Sequence, residues 1–324
     1  MGEFDLIYRY FDRKTTSSHG VELAIGDDCA ITKLAPNQRL AISTDTLVCD
    51  THFLPNITPA DLAYKSVAVN LSDLAAMGAT PAWISLALTL PDVNHQWLAE
   101  FSQSLFAILD RYNVALIGGD TTKGHLSLTL TAQGILPAEQ GLFRHQAQEG
   151  DWIFVSGTLG DSAAGLALLL NQTENLTASD RLLIARHLRP TPRVELGIAL
   201  RAFSQCAIDI SDGLLADLGH ILKRSRCGAE IELADLPLSS HLLARNPQFE
   251  AEQLALTGGE DYELCFTIAP HKRSDFEKFL RSQGIKATCI GRIVAAEQGL
   301  TLRRQGQIVP PPTKIGFDHF QTSK

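Results

Sequence analysis

Residues 83–90 read WISLALTL, and Ile84, Leu86, Leu88 and Leu90 recur at every second position. Residues 125–136, HLSLTLTAQGIL, alternate in the same way. A period of two marks strands with one buried face. Shorter strand signals stand at RLAIS (39–43) and VALIGG (114–119). Helical spacing runs between them. The stretch MGEFDLIYRYFDRK (1–14) is amphipathic. TPADLAYKSVAVNLSDLAAMGA (58–79) opens with Thr58 as N-cap, Pro59 at the first helical position and Asp61 in the first turn, and it ends at Gly78. NHQWLAEFSQSLFAILDRY (94–112) is an amphipathic helix capped by Asn94.

Residues 137–150, PAEQGLFRHQAQEG, are polar and carry two glycines, so the domain boundary is expected there. The second half then alternates again: DWIFVSG as strand, DSAAGLALLLN as helix, CAIDIS as strand, DGLLADLGHILKRS as helix, AEIELA and YELCFTI as strands, HKRSDFEKFLRSQG as helix. This pattern predicts mixed α/β (α+β) structure in two domains, 1–137 and 150–324. The length of 324 residues also suggests more than one core. NLSDLAAMG (70–78) and DISDGLLADLG (209–219) echo each other, either as a true repeat or as chance reuse of one device.

Composition narrows the partners. A net charge of −8 argues against a nucleic acid. No apolar run reaches the ~18 residues a membrane helix needs, and the N-terminus does not read as a secretory signal, nor does MGEFDL carry the Ser/Thr that myristoylation favours. The six cysteines form no C-x-x-C pair and lie among apolar or small residues. They read as buried free thiols in a reducing cytoplasm.

The acids are unevenly placed. GDD (26–28), STDT (43–46), LSD (71–73), GGD (118–120), GD (160–161), DISD (209–212) and GGED (258–261) each set a carboxylate beside Gly, Ser or Thr. One such Asp is equally a helix cap or turn residue. Seven of them at expected strand ends suggest converging carboxylates, which either protonate or recruit cations. Oxygen-only ligands suit Mg²⁺, Mn²⁺ or Ca²⁺, and no His/Cys cluster offers zinc. Several such ions fit a polyphosphate, which carboxylates cannot touch without a bridging cation. There is no Walker loop; GGDTTKGH (118–125) has the wrong spacing.

The segments IGDDCA, STDTLVCDTHF, NLSDLAAMGA, IGGDTT, SGTLGDSAAGLALL, DISDGLLADLGH and LTGGEDYELCF, in this order, resemble the thiamine-monophosphate kinase family from about Gly2 to Phe320. The wider superfamily includes aminoimidazole ribonucleotide synthetase and selenophosphate synthetase. The resemblance implies an N-terminal mixed-sheet domain whose strands pair into a barrel in a homodimer. It also implies a C-terminal α/β domain that completes the nucleotide and substrate sites. Several Mg²⁺ ions and ATP are implied, with thiamine monophosphate as acceptor, direct transfer and no catalytic nucleophile. Asp28, Ser43, Thr44, Asp45, Asp73, Asp120, Asp209 and Asp212 match metal ligands, and Asp27 an acid supporting the turn. Tyr112, Gly119, Asp120, Arg144 and Ser211 match nucleotide contacts. His52, Glu260 and Phe317 match substrate contacts. Taken singly, Arg144 is also a solvated linker arginine, His52 a structural hydrogen-bonder and Phe317 a packed tail aromatic. The alternatives are another ATP-dependent synthetase of the superfamily or a non-catalytic nucleotide or metal sensor. Cysteines expected in the synthetases and the hydrogenase-maturation relatives, before GDD or at the C-terminus, are lacking.

Overall fold

The computed structural model describes residues 3–13, 19–313 and 315–316. The chain divides into two compact units, residues 1–74 with 79–140 and residues 75–78 with 141–324.

The first unit holds α1 (Glu3–Tyr10), β1 (Val21–Leu23), β2 (Ile31–Thr32), β3 (Gln38–Val48), α2 (Pro59–Ala76), β4 (Thr80–Leu90), α3 (His95–Arg111), β5 (Ala115–Lys123) and β6 (Ser127–Pro137). The helix starts are the expected ones. Asp61 N donates to Thr58 Oγ1 at 3.1 Å and Trp97 N donates to Asn94 Oδ1 at 3.0 Å, each satisfying an N–H that the first turn leaves unpaired. Four strands form one sheet in the order β3-β6-β4-β5, and β1 and β2 form a separate ribbon. β4 and β5 are parallel and joined by α3, while β6 lies antiparallel to both β3 and β4. Ile84, Leu86 and Leu88 of β4 and Leu128, Leu130 and Ala132 of β6 are buried on one face. Leu62, Leu71 and Leu74 of α2 and Leu98, Phe101 and Leu105 of α3 are buried as well.

The second unit contains β7 (Trp152–Ser156), α4 (Asp161–Leu170), α5 (Ala178–Leu188), α6 (Val194–Leu200), β8 (Ala207–Asp209), α7 (Leu214–Ser225), β9 (Gly228–Glu232), α8 (Ser240–Arg245), α9 (Gln248–Thr257), β10 (Leu264–Ile268), α10 (Arg273–Gln283), β11 (Ala287–Val294), β12 (Leu300–Arg304) and β13 (Gln307–Val309). Its strands make one seven-stranded sheet, β13-β12-β9-β11-β7-β10-β8. Only β12–β9 is a parallel pair. Ile153, Val155, Ile208, Leu218, Ile231, Cys265 and Ile293 join one core cluster, and Phe154, Phe266 and Phe276 stack beside one another. The mixed α/β reading therefore holds in both units.

Three of the seven acidic segments are not turns. STDT lies inside β3, LSD inside α2 and GGD inside β5. Backbone pairing and helix packing carry the regular structure straight through these polar residues. The six thiols are free, but Cys29 is exposed, because it follows the GDD turn on the surface. Among the described residues no helix is long and apolar enough to cross a membrane.

Candidate active site

In the first unit the GDD turn and β5 line a cleft of about 680 Å³. Gly26, Asp27, Asp28, Gly118, Gly119 and Asp120 all contribute to its wall. Asp27 Oδ1 accepts from Asp28 N at 2.9 Å, so Asp27 shapes the turn and leaves Asp28 beside it exposed. Gly119 is required by the close approach of β5 to β4. Its φ is +153°, and a Cβ there would lie 1.8 Å from the Leu86 carbonyl oxygen. Backbone can therefore face the cleft where any other side chain would block it.

A second oxygen cluster joins β3 to α2. Ser43 Oγ donates a short hydrogen bond to Asp73. Asp45 stands on the same face, two residues along β3. Burial and the adjacent Asp73 charge push the Asp45 carboxyl from 3.8 to about 6. Thr44 points the other way, and its hydroxyl lies 3.0 Å from that of Thr131. Strand register also separates Asp120 from Asp45. Asp45, Leu130, Leu86 and Gly119 form one row across the sheet, and Thr46, Thr129, Ala87 and Asp120 form the next. Successive rows face opposite sides.

His52 is held in a tight turn after β3. Its Nδ1 accepts from Val48 N at 3.0 Å, which places the proton of the neutral ring on Nε2. Tyr112 caps α3 with Arg111 over its ring at 5.4 Å, and it is not part of the cleft wall.

In the second unit the DISD and GGED segments are laced together by backbone. Glu260 N donates to Ser211 O at 2.8 Å, Tyr262 N to Ile210 O at 2.9 Å, and Ile210 N to Glu263 O at 2.8 Å. This brings Asp209, Ser211, Asp212 and Glu260 into one neighbourhood. Glu260 and Tyr262 both have left-handed φ, +65° and +51°, a conformation unfavourable by about 1–2 kcal/mol for most L-residues. Two in three residues need a frame that imposes them. The frame is buried and charged: Glu263 is fully buried and accepts from Ser156, Arg186 and Arg193, while Asp261 accepts from Gly160 N and Ser162 N at the start of α4. Glu260 Oε2 lies 3.3 Å from His187 Nδ1. Arg144 is exposed, its carbonyl accepts from Ser225 Oγ at 2.9 Å, and its charge offsets a small part of the burial that raises the Asp217 pKa. Phe317 lies outside the described residues.

The expected acids thus stand in separate groups, and within neither unit do three of their carboxylates close to within 4.8 Å among the described residues. Like charges without a counter-charge hold one another off. The donor chemistry still fits a hard divalent cation. Ser43, Asp45 and Asp73 offer oxygen alone, and burial beside another carboxylate makes the Asp45 anion costlier than in water, a cost that a bound cation would offset.

Comparison with known proteins adds the family. Residues 26–136 match the model of the AIR synthase related protein, N-terminal domain, and residues 148–302 that of its C-terminal domain. The thiamine-monophosphate kinase of Haemophilus influenzae is 56% identical over 326 residues, covering 100% of this chain and 99% of that protein. The chain belongs to the thiamine-monophosphate kinase family. A crystal structure of thiamine-monophosphate kinase from Stenotrophomonas maltophilia K279a has 43% identity and a TM-score of 0.83, covering 94% of this chain and 96% of that one. AaThiL complexed with AMPPCP and TMP has 33% identity and a TM-score of 0.77, covering 98% and 96%.

Three further residues that the sequence motifs do not single out support the DISD and GGED segments. Asp217 accepts from Asp212 N and Gly213 N at 3.0 and 3.1 Å. Burial above all pushes its carboxyl to about 7. Its signal was present, an acid in the first turn of the helix after DISD. Asp261 fixes the start of α4; it was visible inside GGED but indistinguishable from a turn acid. His187 comes from α5, where no motif marks it.

Proposed function

We propose that this chain is an ATP-dependent kinase that phosphorylates thiamine monophosphate to thiamine diphosphate. The observation that carries the proposal is its 56% identity, over essentially the whole length, to the proteins named thiamine-monophosphate kinase in Haemophilus influenzae and Escherichia coli. The bound pair AMPPCP and TMP of AaThiL supports the same substrates.

In this reading a terminal phosphate oxygen of the acceptor attacks the γ-phosphorus of ATP, the bond to the β-phosphate oxygen breaks, and ADP leaves. Asp28, Ser43, Asp45, Asp73 and Asp120 of the first unit, and Asp209 and Asp212 of the second, are assigned as oxygen ligands of Mg²⁺. Thr44 turns its hydroxyl to Thr131, so any part it takes falls to its main-chain carbonyl. Bound Mg²⁺ would screen the phosphates from one another and offset the charge developed on transfer. Gly119, Asp120, Arg144, Ser211 and Tyr112 are assigned to the nucleotide. An arginine suits phosphate because its guanidinium can pair with two oxygens. His52 would meet the acceptor, with Nε2 as hydrogen-bond donor. Glu260 and Phe317 would take its cationic heterocycle, by charge and by ring stacking. The strained frame around Glu260 pre-sets its carboxylate, so less order is lost when substrate binds.

A cytoplasmic location suits six free thiols. A homodimer through the first unit suits β3, an edge strand with Leu40 and Ile42 exposed. β4 and β6, the two strongly alternating strands, are the central strands; the edges are β3 and β5.

The test is to incubate the protein with Mg²⁺ and γ-labelled ATP, together with thiamine monophosphate or free thiamine. Label is expected in thiamine diphosphate alone. Label retained on the protein would refute direct transfer, and labelling of free thiamine would refute the acceptor.

A further inference from the structure

Outside the acids considered so far, one group of side chains meets at the end of β3. Ligand atoms of Cys49, Asp50 and His125 all lie within 4.8 Å of one another. The backbone holds them there. Cys49 N donates to Leu126 O at 3.1 Å, which ties the end of β3 to the turn between β5 and β6. Asp50 N donates to Phe53 O at 2.9 Å. Asp50 has φ +66°, a conformation Asp tolerates better than most residues. His125 Nε2 lies 3.3 Å from the Cys49 carbonyl oxygen. If Nε2 donates there, the lone pair of the neutral ring sits on Nδ1. A backbone carbonyl on the second ring nitrogen is the usual support of a metal-binding histidine. Cys49 is 7% exposed, whereas Asp50 and His125 are open to solvent, so the thiol forms the floor and the other two the rim.

We propose that Cys49, Asp50 and His125 form a binding site for a divalent transition-metal ion, with zinc the ion the donors suit. Sulfur, imidazole nitrogen and carboxylate oxygen are zinc's usual ligands, and three protein ligands leave the fourth position to water. Magnesium, which takes oxygen ligands, gains nothing from the thiol or the ring. With zinc–ligand bonds of about 2.0–2.3 Å, tetrahedral ligand atoms stand roughly 3.3–3.8 Å apart. Closing from the present separations takes about 1 Å of side-chain movement, and two of the three side chains are on the surface. On binding, the thiol gives its proton to solvent and the sulfur takes the metal. The ion would then join the turn that carries His52, held by Val48 N, to the loop between β5 and β6. The site needs none of the residues assigned to phosphoryl transfer, and it stands or falls apart from that assignment.

The full-length protein is titrated with Co²⁺ in excess Mg²⁺, which occupies oxygen-only sites. The expected result is one equivalent of Co²⁺ with an intense thiolate-to-cobalt charge-transfer band and tetrahedral visible bands, both removed by one equivalent of Zn²⁺. Cys49→Ser should abolish the charge-transfer band, which also excludes Cys29 as its source. His125→Asn, a surface change that leaves the core untouched, should weaken Co²⁺ binding at least about 10-fold. A titration without the charge-transfer band overturns the proposal. So does a band that survives Cys49→Ser, or affinity unchanged by His125→Asn with an unaltered melting curve.

Discussion

Glu263 ties the core of the second unit to the segment that carries Glu260, and Glu263→Gln isolates its contribution. The carboxylate is fully buried. Its Oε2 accepts from Ser156 Oγ at 2.5 Å and Arg193 Nε at 2.6 Å, and its Oε1 accepts from Arg186 Nη2 at 2.8 Å and again from Arg193. Glutamine keeps the volume but replaces one accepting oxygen with an NH₂ that faces donors. Two hydrogen bonds are lost, and two guanidiniums, 23% and 30% exposed, lose their counter-charge. Breaking a buried pair from one side costs about 3–5 kcal/mol, and partial access of water to the arginines sets the expectation near about 3 kcal/mol. That is a large share of a typical total stability of about 5–15 kcal/mol.

Trp152 lies at the start of β7, four residues from Ser156, and with Trp83 and Trp97 of the first unit replaced by Phe it alone reports on the second unit. Urea unfolding followed by its fluorescence should show the midpoint falling by about 1–1.5 M at an m-value of about 2–3 kcal/mol/M. Arg193→Met alone should also destabilise, and the double variant should cost less than the two single losses together, because one side of a pair is then no longer stranded. Under the proposed activity, KM for thiamine monophosphate should rise more than kcat falls, since Glu260 stands three residues away in a left-handed backbone that this cluster imposes. A midpoint shift below about 0.5 M, or single effects that simply add, would refute the buried-network account.

The other expectations follow from single contacts. Under the proposed metal role, Asp73→Asn should lower turnover by at least about 100-fold without lowering the melting temperature of the metal-free protein, because the amide loses the charge that a bridging ligand would supply; near-normal turnover would return Asp73 to an ordinary helix acid. Because the folded state raises Asp45 from 3.8 to about 6, it favours the protonated acid, so in EDTA the parent should lose stability as pH rises from about 4 through about 6. Asp45→Asn should flatten that slope, and an identical slope in the variant would contradict it. Gly119→Ala should weaken ATP binding and the β4–β5 pairing together, since the added methyl meets the Leu86 carbonyl; unchanged ATP affinity and melting would disprove the close approach. Under the proposed pairing through β3, the parent should have a dimer's mass in light scattering and Ile42→Glu, on the exposed face of that edge strand, a monomer's; an unaltered mass would exclude that face.

What the sequence disclosed was periodic. The runs at 83–90 and 125–136 announced buried-face strands, and Thr58 and Asn94 announced helix starts, because these signals are local and strong. The second unit was less legible. α5, α6, α8 and α9, and the strands β11 to β13, carry weak or mixed periodicity and owe their form to tertiary packing. The same limit explains the acids. GDD, DISD and GGED could be read as turns because glycine and serine flank them. Nothing local in STDT or GGD says that strand pairing runs straight through, so the facing of Thr44 and Asp120 emerged only with the register. Long-range hydrogen bonds decide register, and a single sequence does not contain them.

The three acidic segments that lie inside regular elements are themselves informative. Aspartate is a poor residue in a strand interior and an indifferent one in a helix. Yet Asp45 and Asp120 stand within strands and Asp73 within α2, each beside small or hydroxyl neighbours that leave the carboxylate room. Turn acids can be explained as caps; these cannot, since each sits where the backbone is already paired. Glu260 and Tyr262 break a different local rule, with left-handed backbone at non-glycine residues. Where local preference is overridden at several places, the compensation must come from packing, as Glu263 supplies it, or from a ligand, as cations would for Asp45 and Asp73. Asp45, Asp73, Asp120 and Glu260 are thus departures that fall on residues assigned to metal and acceptor, whereas left-handed backbone at Gln172, Arg226 and Gln305 lies in ordinary turns and caps. A substitution that removes the buried charge, such as Asp45→Asn, should stabilise the metal-free fold while removing what the site needs.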